Sequence, residues 1–393
     1  ELPIYFPSIV WGRVWVLTNK KNTSIIFAVI IIIVLIALFT KGSGGSRGNG
    51  SNSKPIKIGA VLSLTGDASP WGEYGKNGIN LAVKQINEKG GINGRKVEVI
   101  IEDDHTDGKQ GVSAFNKLID LDGVDGIIGG VFDFTAQPLI PLAQSKKIAF
   151  ISPSNFRIVG GFDLNSQSFV MLTDFSTVIR NLKDYLGQSN AKKLAVVHFK
   201  STFGNEIAKT LNGVMKDLGR GEIVDEAYTE IGNNDFKTTI MKLKQANVDT
   251  VFLDMLANDP VNFLKRAKEL GFNPTIITYN GALDSFANET DKSPLENAVI
   301  LNWEVTSTQF NTLYKKEYGI SPTKSADKYF DAVYVLANSI ANSENQSKVS
   351  SYIESHSFTT PNTTISFTEN HTVISMPVEV QIFKNGNLMP WVK

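Results

Sequence analysis

The stretch between residues 57 and 101 constrains the fold of this chain most. Lys57–Leu62 is a short apolar run, which is typical of a strand buried on both faces of a parallel sheet. Ser63–Gly75 is polar and contains glycine, so it predicts a long loop that carries Trp71. Apolar residues at positions 79, 82, 83 and 86 then predict one face of a helix, and Val97–Ile101 predicts a second strand. The stretch therefore predicts a β-loop-α-β unit, and in open α/β sheets such loops hold ligands.

The alternation of strand and helix patterns continues along the chain in two rounds. The second round echoes the first, because Leu121–Ile128 (LDGVDGII) resembles Gln245–Phe252 (QANVDTVF) in pattern. A chain of 393 residues also exceeds the usual size of one domain. These observations predict two similar α/β lobes that face each other across a cleft.

Composition and motifs argue against several classes of function. The chain has no cysteine, so it has neither a disulfide nor a thiolate metal site, and its 4 histidines show no metal-ligand spacing. The sequence has neither a Gly-x-Ser-x-Gly elbow between a strand and a helix nor a Walker phosphate-binding loop. Residues 1–54 hold six basic residues and one acidic residue, so the remaining body carries a net charge of −5, which disfavours nucleic-acid binding. We therefore expect no enzymatic activity, no cofactor and no metal.

The N-terminal 55 residues differ in composition from the body. Ser24–Phe39 is an uncharged apolar run preceded by Lys20 and Lys21, so the positive-inside rule predicts a transmembrane anchor over residues 24–40. Residues 1–23 then form a cytoplasmic or interfacial segment, and residues 41–55 form a flexible Gly/Ser linker. This arrangement holds the body at the cell membrane on its extracytoplasmic side. A cleaved signal peptide is the alternative, although Phe39 occupies a position where a small residue is expected.

Three motifs of the first unit resemble those of a known family. They are GAVLSLTG, which begins at Gly59, the aromatic-Gly-x-x-Gly of Trp71–Gly75, and the segment Ile86–Asp104 (INEKGGINGRKVEVIIEDD). In combination they resemble the Leu/Ile/Val-binding proteins, which are type I periplasmic solute-binding proteins of ABC transporters. The resemblance runs from about Pro55 to the C-terminus.

The resemblance implies an architecture and a function. It implies two Rossmann-like lobes, formed by residues 56–172 plus 304–366 and by residues 173–303 plus 367–393. Three crossings, near Thr173, Trp303 and Phe367, would join the lobes as a hinge. The implied function is capture of a small polar molecule (an amino acid, an amide or a related compound) between the lobes and its delivery to ABC permease subunits. The alternative is a ligand-sensing ectodomain that signals through a membrane partner.

Candidate ligand-binding residues lie in loops at the carboxyl ends of the predicted strands. Gly129 and Gly130 let the backbone approach a ligand closely, and the N–H groups of the helix that follows favour a carbonyl oxygen or an anion. The candidates from the first lobe are Trp71, Asp133, Phe134, Thr135, Ser154, Asn155 and Phe156. The candidates from the second lobe are Phe203, Leu256 and Asn280.

Three of these positions depart from what the resemblance implies for an amino-acid ligand. Family members have a small hydroxyl residue where this chain has Asp133, a threonine where it has Phe156, and an acid where it has Asn280. An aspartate would repel a ligand carboxylate, and Asn280 offers no full counter-charge to an ammonium. The head-group site is therefore expected to suit a neutral or cationic polar ligand with an apolar portion. A helix N-cap is the structural alternative for Asp133.

Overall fold

Two β-sheets of parallel strands organise the described part of the chain. The computed structural model describes residues 54–155, 157, 164–233, 235–286, 289–302, 307–322, 325–374 and 378–392. The anchor predicted over residues 24–40, the segment before it and most of the linker lie outside these ranges. Within them, no helix is both long enough and apolar enough to cross a membrane.

The first sheet has five parallel strands in the spatial order β2-β1-β3-β4-β5. Its strands are β1 (Ile56–Leu62), β2 (Val97–Asp103), β3 (Gly126–Gly129), β4 (Phe150–Ser152) and β5 (Ser168–Val170). The helices between them are α1 (Ser69–Glu88), α2 (Gly108–Asp120), α3 (Asp133–Ala136) and α4 (Ile140–Lys146). Every residue of β3, β4 and β5 is buried, as expected of parallel strands that are covered on both faces.

The second sheet has seven strands and repeats this arrangement. Its parallel strands are β6 (Leu194–Phe199), β7 (Val224–Tyr228), β8 (Thr250–Asp254), β9 (Thr275–Tyr279) and β10 (Val299–Asn302). The antiparallel strands β13 (Glu379–Lys384) and β14 (Asn387–Pro390) extend one edge, which gives the order β14-β13-β10-β9-β8-β6-β7. The intervening helices are α5 (Phe175–Gln188), α6 (Thr202–Asp217), α7 (Lys237–Gln245), α8 (Asp259–Glu269) and α9 (Gly281–Ser285). The prediction of two α/β lobes is therefore confirmed.

After β10 the chain returns to the first sheet. It forms α10 (Thr308–Tyr318), α11 (Ala326–Asn342), α12 (Val349–Ser355) and the short hairpin strands β11 (Phe358–Thr359) and β12 (Thr364–Ile365). Phe330 of α11 is fully buried in one apolar cluster with Ile58 of the first sheet. Phe367 packs against Phe169 at a ring-centroid distance of 5.2 Å, so the passage from the first lobe to β13 follows Phe367.

The long loop predicted over Ser63–Gly75 is shorter than expected, because α1 already begins at Ser69 and includes Trp71. The glycines that suggested a loop serve close packing instead. A Cβ atom at Gly72 would lie 1.9 Å from the Ser63 carbonyl oxygen, and one at Gly78 would lie 2.1 Å from that of Ala326. Glycine is therefore required where α1 approaches the end of β1 and the start of α11.

The two sheets share one topological feature that determines where a ligand can bind. In the first sheet β1 lies between β2 and β3, and in the second β6 lies between β7 and β8. After β2 is added on one side of β1, the chain crosses to add β3 on the other side, and it does the same with β7 and β8 around β6. The direction in which strands are added therefore reverses between β1 and β3 and between β6 and β8. Open α/β sheets bind ligands outside the carboxyl ends of the strands at such a switch point.

Candidate functional site

A cavity of about 170 Å³ lies between the lobes, and residues that follow both switch points line it. Its volume is comparable to that of an engineered apolar cavity of about 150 Å³ that admits benzene. Among the described residues, six aromatic side chains line it: Trp71, Phe132, Phe134, Phe199, Phe203 and Tyr279. The cavity therefore suits a small molecule with an apolar portion.

Most of the predicted site residues meet at this cavity. Those that line it are Trp71, Asp133, Phe134, Ser154, Asn155, Phe203, Leu256 and Asn280. Thr135 is fully buried but does not line it, because its hydroxyl bonds the backbone of Phe132 and caps α3. Phe156 lies outside the described residues. Contact of the lining residues with a ligand stays a prediction.

Asp133 occupies a different environment from the one that the sequence suggests. The N-cap of α3 is Phe132, and Asp133 is the first residue of that helix. Its Oδ2 instead accepts a hydrogen bond of 2.9 Å from the backbone N–H of Phe203, in the first turn of α6 on the second lobe. Burial raises the pKa of the Asp133 carboxyl, and hydrogen bonds from Phe203 and Ser201 oppose that rise. Asp133 thus joins the two lobes.

A second polar contact and an aromatic contact cross the cleft beside Asp133. The Thr202 hydroxyl of α6 lies 3.2 Å from Oε1 of Gln137 on the first lobe. The rings of Phe134 and Phe199, one from each lobe, lie 5.7 Å apart between centroids. In this structure the lobes therefore touch along one side of the cavity.

Two residues of the loop after β4 use their polar groups within the protein. The Ser154 hydroxyl donates to the hydroxyl of Tyr329 at 2.9 Å. The amide nitrogen of Asn155 donates to the Gly130 carbonyl at 3.1 Å and to the Ser152 hydroxyl at 2.9 Å. These bonds fix the loop but occupy the side-chain donors that would otherwise reach a ligand.

Asn280 differs from them because its acceptor is unused. The side chain is 7% exposed and lines the cavity, and its Oδ1 has no hydrogen-bond partner among the described residues. A buried carbonyl oxygen without a partner is destabilising, by about 1–3 kcal/mol, unless a ligand or water donates to it. Asn280 is therefore poised to accept a hydrogen bond from an occupant of the cavity.

Sequence reasoning missed Asp254, the last residue of β8. It lines the cavity and is 7% exposed. Burial raises the pKa of its carboxyl to about 8, and the nearby Asp133 adds to that rise. The available signal was an acid directly after the apolar run 250–253, at the carboxyl end of a strand. The site thus contains two carboxyl groups, and none of its described lining residues is Lys, Arg or His.

Known proteins similar in sequence include a Leu/Ile/Val-binding protein homolog and a leucine-specific-binding protein. The chain is 27% identical over 315 residues to the Leu/Ile/Val-binding protein homolog 7 of Brucella abortus, a match that covers 72% of this chain and 76% of the relative. It is 28% identical over 235 residues to the leucine-specific-binding protein of Salmonella typhimurium, covering 59% of this chain and 63% of the relative.

Solved structures with the same fold hold chemically different ligands. The branched-chain amino acid transporter substrate binding protein of Streptococcus pneumoniae, in complex with isoleucine, matches with a TM-score of 0.73 and 21% identity over 85% of this chain and 97% of that one. An ABC transporter solute binding protein of R. palustris, in complex with benzoate, matches with a TM-score of 0.74 and 18% identity over 86% of this chain and 95% of that one. The fold therefore does not determine the ligand.

The family assignment rests on most of the chain. Residues 55–387 match the sequence profile of periplasmic binding proteins. This range includes every strand of both sheets except most of β14, and it includes all the described residues that line the cavity. The chain therefore belongs to the periplasmic binding protein family, a family of extracytoplasmic solute-binding proteins.

Proposed function

We propose that this chain is the solute-binding subunit of an ABC importer and that it captures one small molecule in the cavity between its lobes. The observation that carries the proposal is the meeting of both switch points at one aromatic-lined cavity, since each lobe alone would leave its half of the site open to water. Closure of the lobes would bury the ligand and present a changed surface to a permease. The similarity to binding proteins for branched-chain amino acids supports the transport role.

A ligand screen tests the binding part of this proposal. The full chain is heated with amino acids, amides, amines and sugars in turn, and its unfolding temperature is recorded. A ligand present at 100 times its Kd stabilises the folded state by about 2.7 kcal/mol, which raises the unfolding temperature measurably. If no compound of any class shifts the unfolding temperature, the binding proposal is wrong.

Transport itself needs a separate test. Cells that produce this protein together with the permease of an ABC importer should accumulate the labelled ligand, and deletion of this gene should abolish the accumulation. Uptake that persists without the gene, together with a ligand-dependent change in a membrane partner, would favour the sensor alternative instead.

Membrane attachment is the second part of the proposal. We infer from the apolar run and the lysines before it that residues 24–40 tether the body to the membrane. The native protein should then sediment with membranes at its full length, and salt washing should not release it. Recovery of a mature N-terminus within residues 40–54 would contradict the anchor and favour a cleaved signal peptide.

A further inference from the structure

Asp254 is buried at the end of a central strand, and its carboxyl group has no partner among the described residues. It closes β8, which lies between β6 and β9, and its side chain lines the cavity. Among the residues that the structure describes, none donates a hydrogen bond to its carboxylate or forms an ion pair with it. The titratable groups that act on it electrostatically, or on which it acts, are Asp133, Tyr228 and Tyr279, and none of them is a cation. A buried carboxylate normally requires a cationic or hydrogen-bonding partner.

Two acceptor groups of the cavity lining have no described partner. Asn280 Oδ1 is buried without a described partner, and it lines the same cavity as the unmatched carboxylate of Asp254. Several side-chain donors of the lining are already used: the hydroxyls of Thr278 and Ser285 donate to the carbonyl oxygens of Leu253 and Ala257. The side-chain donors of the loop after β4 are likewise used within the protein. An occupant that brings N–H donors matches these two acceptors, and the Tyr279 hydroxyl of the same lining can donate or accept.

The start of α6, one of the places where an anion would be favoured, is also occupied. The first turn of α6 offers backbone N–H groups at the positive end of the helix dipole. The N–H of Phe203 in that turn already donates to Asp133. A ligand carboxylate would therefore compete with a side chain of the protein and would face two acidic residues.

We propose, on the basis of the solute-binding function proposed above, that the ligand is an organic amine that carries a cationic ammonium group and no carboxylate, with Asp254 as its counter-charge. Asn280 accepts a second hydrogen bond from the ammonium. The aromatic rings of the cavity pack against the apolar remainder of the ligand and add cation–π attraction. Asp254 thus selects for the ammonium group, while Asp133, which takes the Phe203 N–H at the start of α6, disfavours a ligand carboxylate.

Matched probes test the charge preference directly. Isothermal titration calorimetry on the full chain compares leucine with isopentylamine, which lacks the carboxylate, and with 4-methylpentanoate, which lacks the ammonium. Phenylalanine, phenethylamine and 3-phenylpropanoate form a second set with a ring. In at least one set we expect the amine to bind at least tenfold more tightly than the amino acid, and the acid to show no binding.

Variants locate the preference at Asp254. Asp254→Asn should weaken amine binding by at least tenfold. The matched control is Asp217→Asn, which removes one negative charge from the exposed, opposite end of α6 and should leave amine affinity unchanged.

The wild type provides an independent readout that requires no variant. Its amine affinity should rise between pH 6 and pH 9, with proton release detected in buffers of different ionisation enthalpy, because the carboxyl must lose its proton to pair with the ammonium.

The possible outcomes separate this inference from the proposed function. Tight binding of an amino acid, an amide or an acid that Asp254→Asn leaves unchanged would overturn the inference while supporting solute binding. Amine binding without a pH dependence or proton release would likewise exclude Asp254 as the counter-charge. A complete lack of binding by every class in the thermal screen would contradict the proposed function and, with it, this inference.

Discussion

The protonation of a single side chain, Asp254, makes the stability of the protein depend on pH. Its folded-state pKa of about 8 lies far above the value of 3.8 expected in the unfolded chain. Between these two pH values the folded state holds a proton that the unfolded chain has released. Stability contributed by this group is therefore lost as the pH rises toward 8, and it is fully present only at acidic pH.

A pH series of urea unfolding checks this expectation on the ligand-free protein. Each unit of pKa corresponds to about 1.4 kcal/mol, so the difference between about 8 and 3.8 predicts that Asp254→Asn is more stable than the wild type at pH 8 by several kcal/mol. The gain should shrink toward pH 5, where the native carboxyl is neutral. The control Asp217→Asn should follow the wild-type profile. Parallel profiles for the wild type and Asp254→Asn would mean that Asp254 is not buried in an unpaired state.

The contrast between Asp254 and Asp133 shows why residue roles are hard to predict from sequence. Both acids follow apolar strands, and the sequence indicated only Asp133 as a ligand-facing group. The fold gives Asp133 a partner on the other lobe, because α6 begins opposite α3. It gives Asp254 no such partner among the described residues. Whether each carboxylate finds a hydrogen-bond donor depends on how the two lobes meet. Local sequence patterns carry no information about the contacts between the lobes.

At the scale of elements, the apolar runs of the sequence predicted the positions of the strands. The starts of the helices were harder to predict, because the helix propensity of the residues did not always indicate them. The predicted strand Lys57–Leu62 corresponds to β1, which begins one residue earlier, and the predicted strand Val97–Ile101 corresponds to β2, which ends two residues later. The N-terminal turns of α1 were predicted as loop because they contain Gly72 and Gly75. Gly72 is required by the Ser63 carbonyl, and Gly75 packs tightly against the ring of Tyr329, so both depend on contacts with residues far along the chain or outside the helix.

A pair of glycine substitutions tests that explanation. Gly78→Ala should destabilise the protein by about 1–3 kcal/mol, because the new methyl group would collide with the Ala326 carbonyl 2.1 Å away. Gly213→Ala on α6 is the matched control, since no described atom lies within 4 Å of the place that its new methyl group would take and alanine favours helix by roughly 0.5–1 kcal/mol. Urea unfolding measures both changes. Equal effects of the two substitutions would contradict the role of Gly78 in packing.

Asp133 gives a second test at this scale, because it links α3 to α6. Asp133→Ala removes the carboxylate that accepts from the Phe203 N–H, a charge-assisted bond worth about 1.5–3 kcal/mol. We expect more open lobes and about tenfold weaker ligand binding, measured by calorimetry. Asp107→Ala is the control: Asp107 caps α2 within one lobe, so its loss should lower stability by about 1 kcal/mol without weakening binding. Equal loss of affinity in both variants would argue against a cross-lobe role.

At the scale of the whole molecule, the regular β/α alternation was sufficient to predict two lobes, and the strand order placed the site between them. Both sheets have the same order around β1 and β6, so their switch points face the same cavity. The details of that cavity were less predictable. The rings of Phe132, Phe199 and Tyr279 come from three elements that are distant in the chain, and only the packed fold brings them together.

Closure of the two lobes around a small molecule is tested most directly by a distance measured across the cleft. Since the chain has no cysteine, Asp67→Cys and Glu230→Cys introduce two unique labelling sites. Both positions are exposed and flank one groove between the lobes. Double electron–electron resonance on the spin-labelled full chain gives the distribution of distances between them. We predict a broad distribution without ligand and a shorter, narrower one when the most stabilising compound of the thermal screen is saturating. An unchanged distribution at saturation would contradict closure around a ligand.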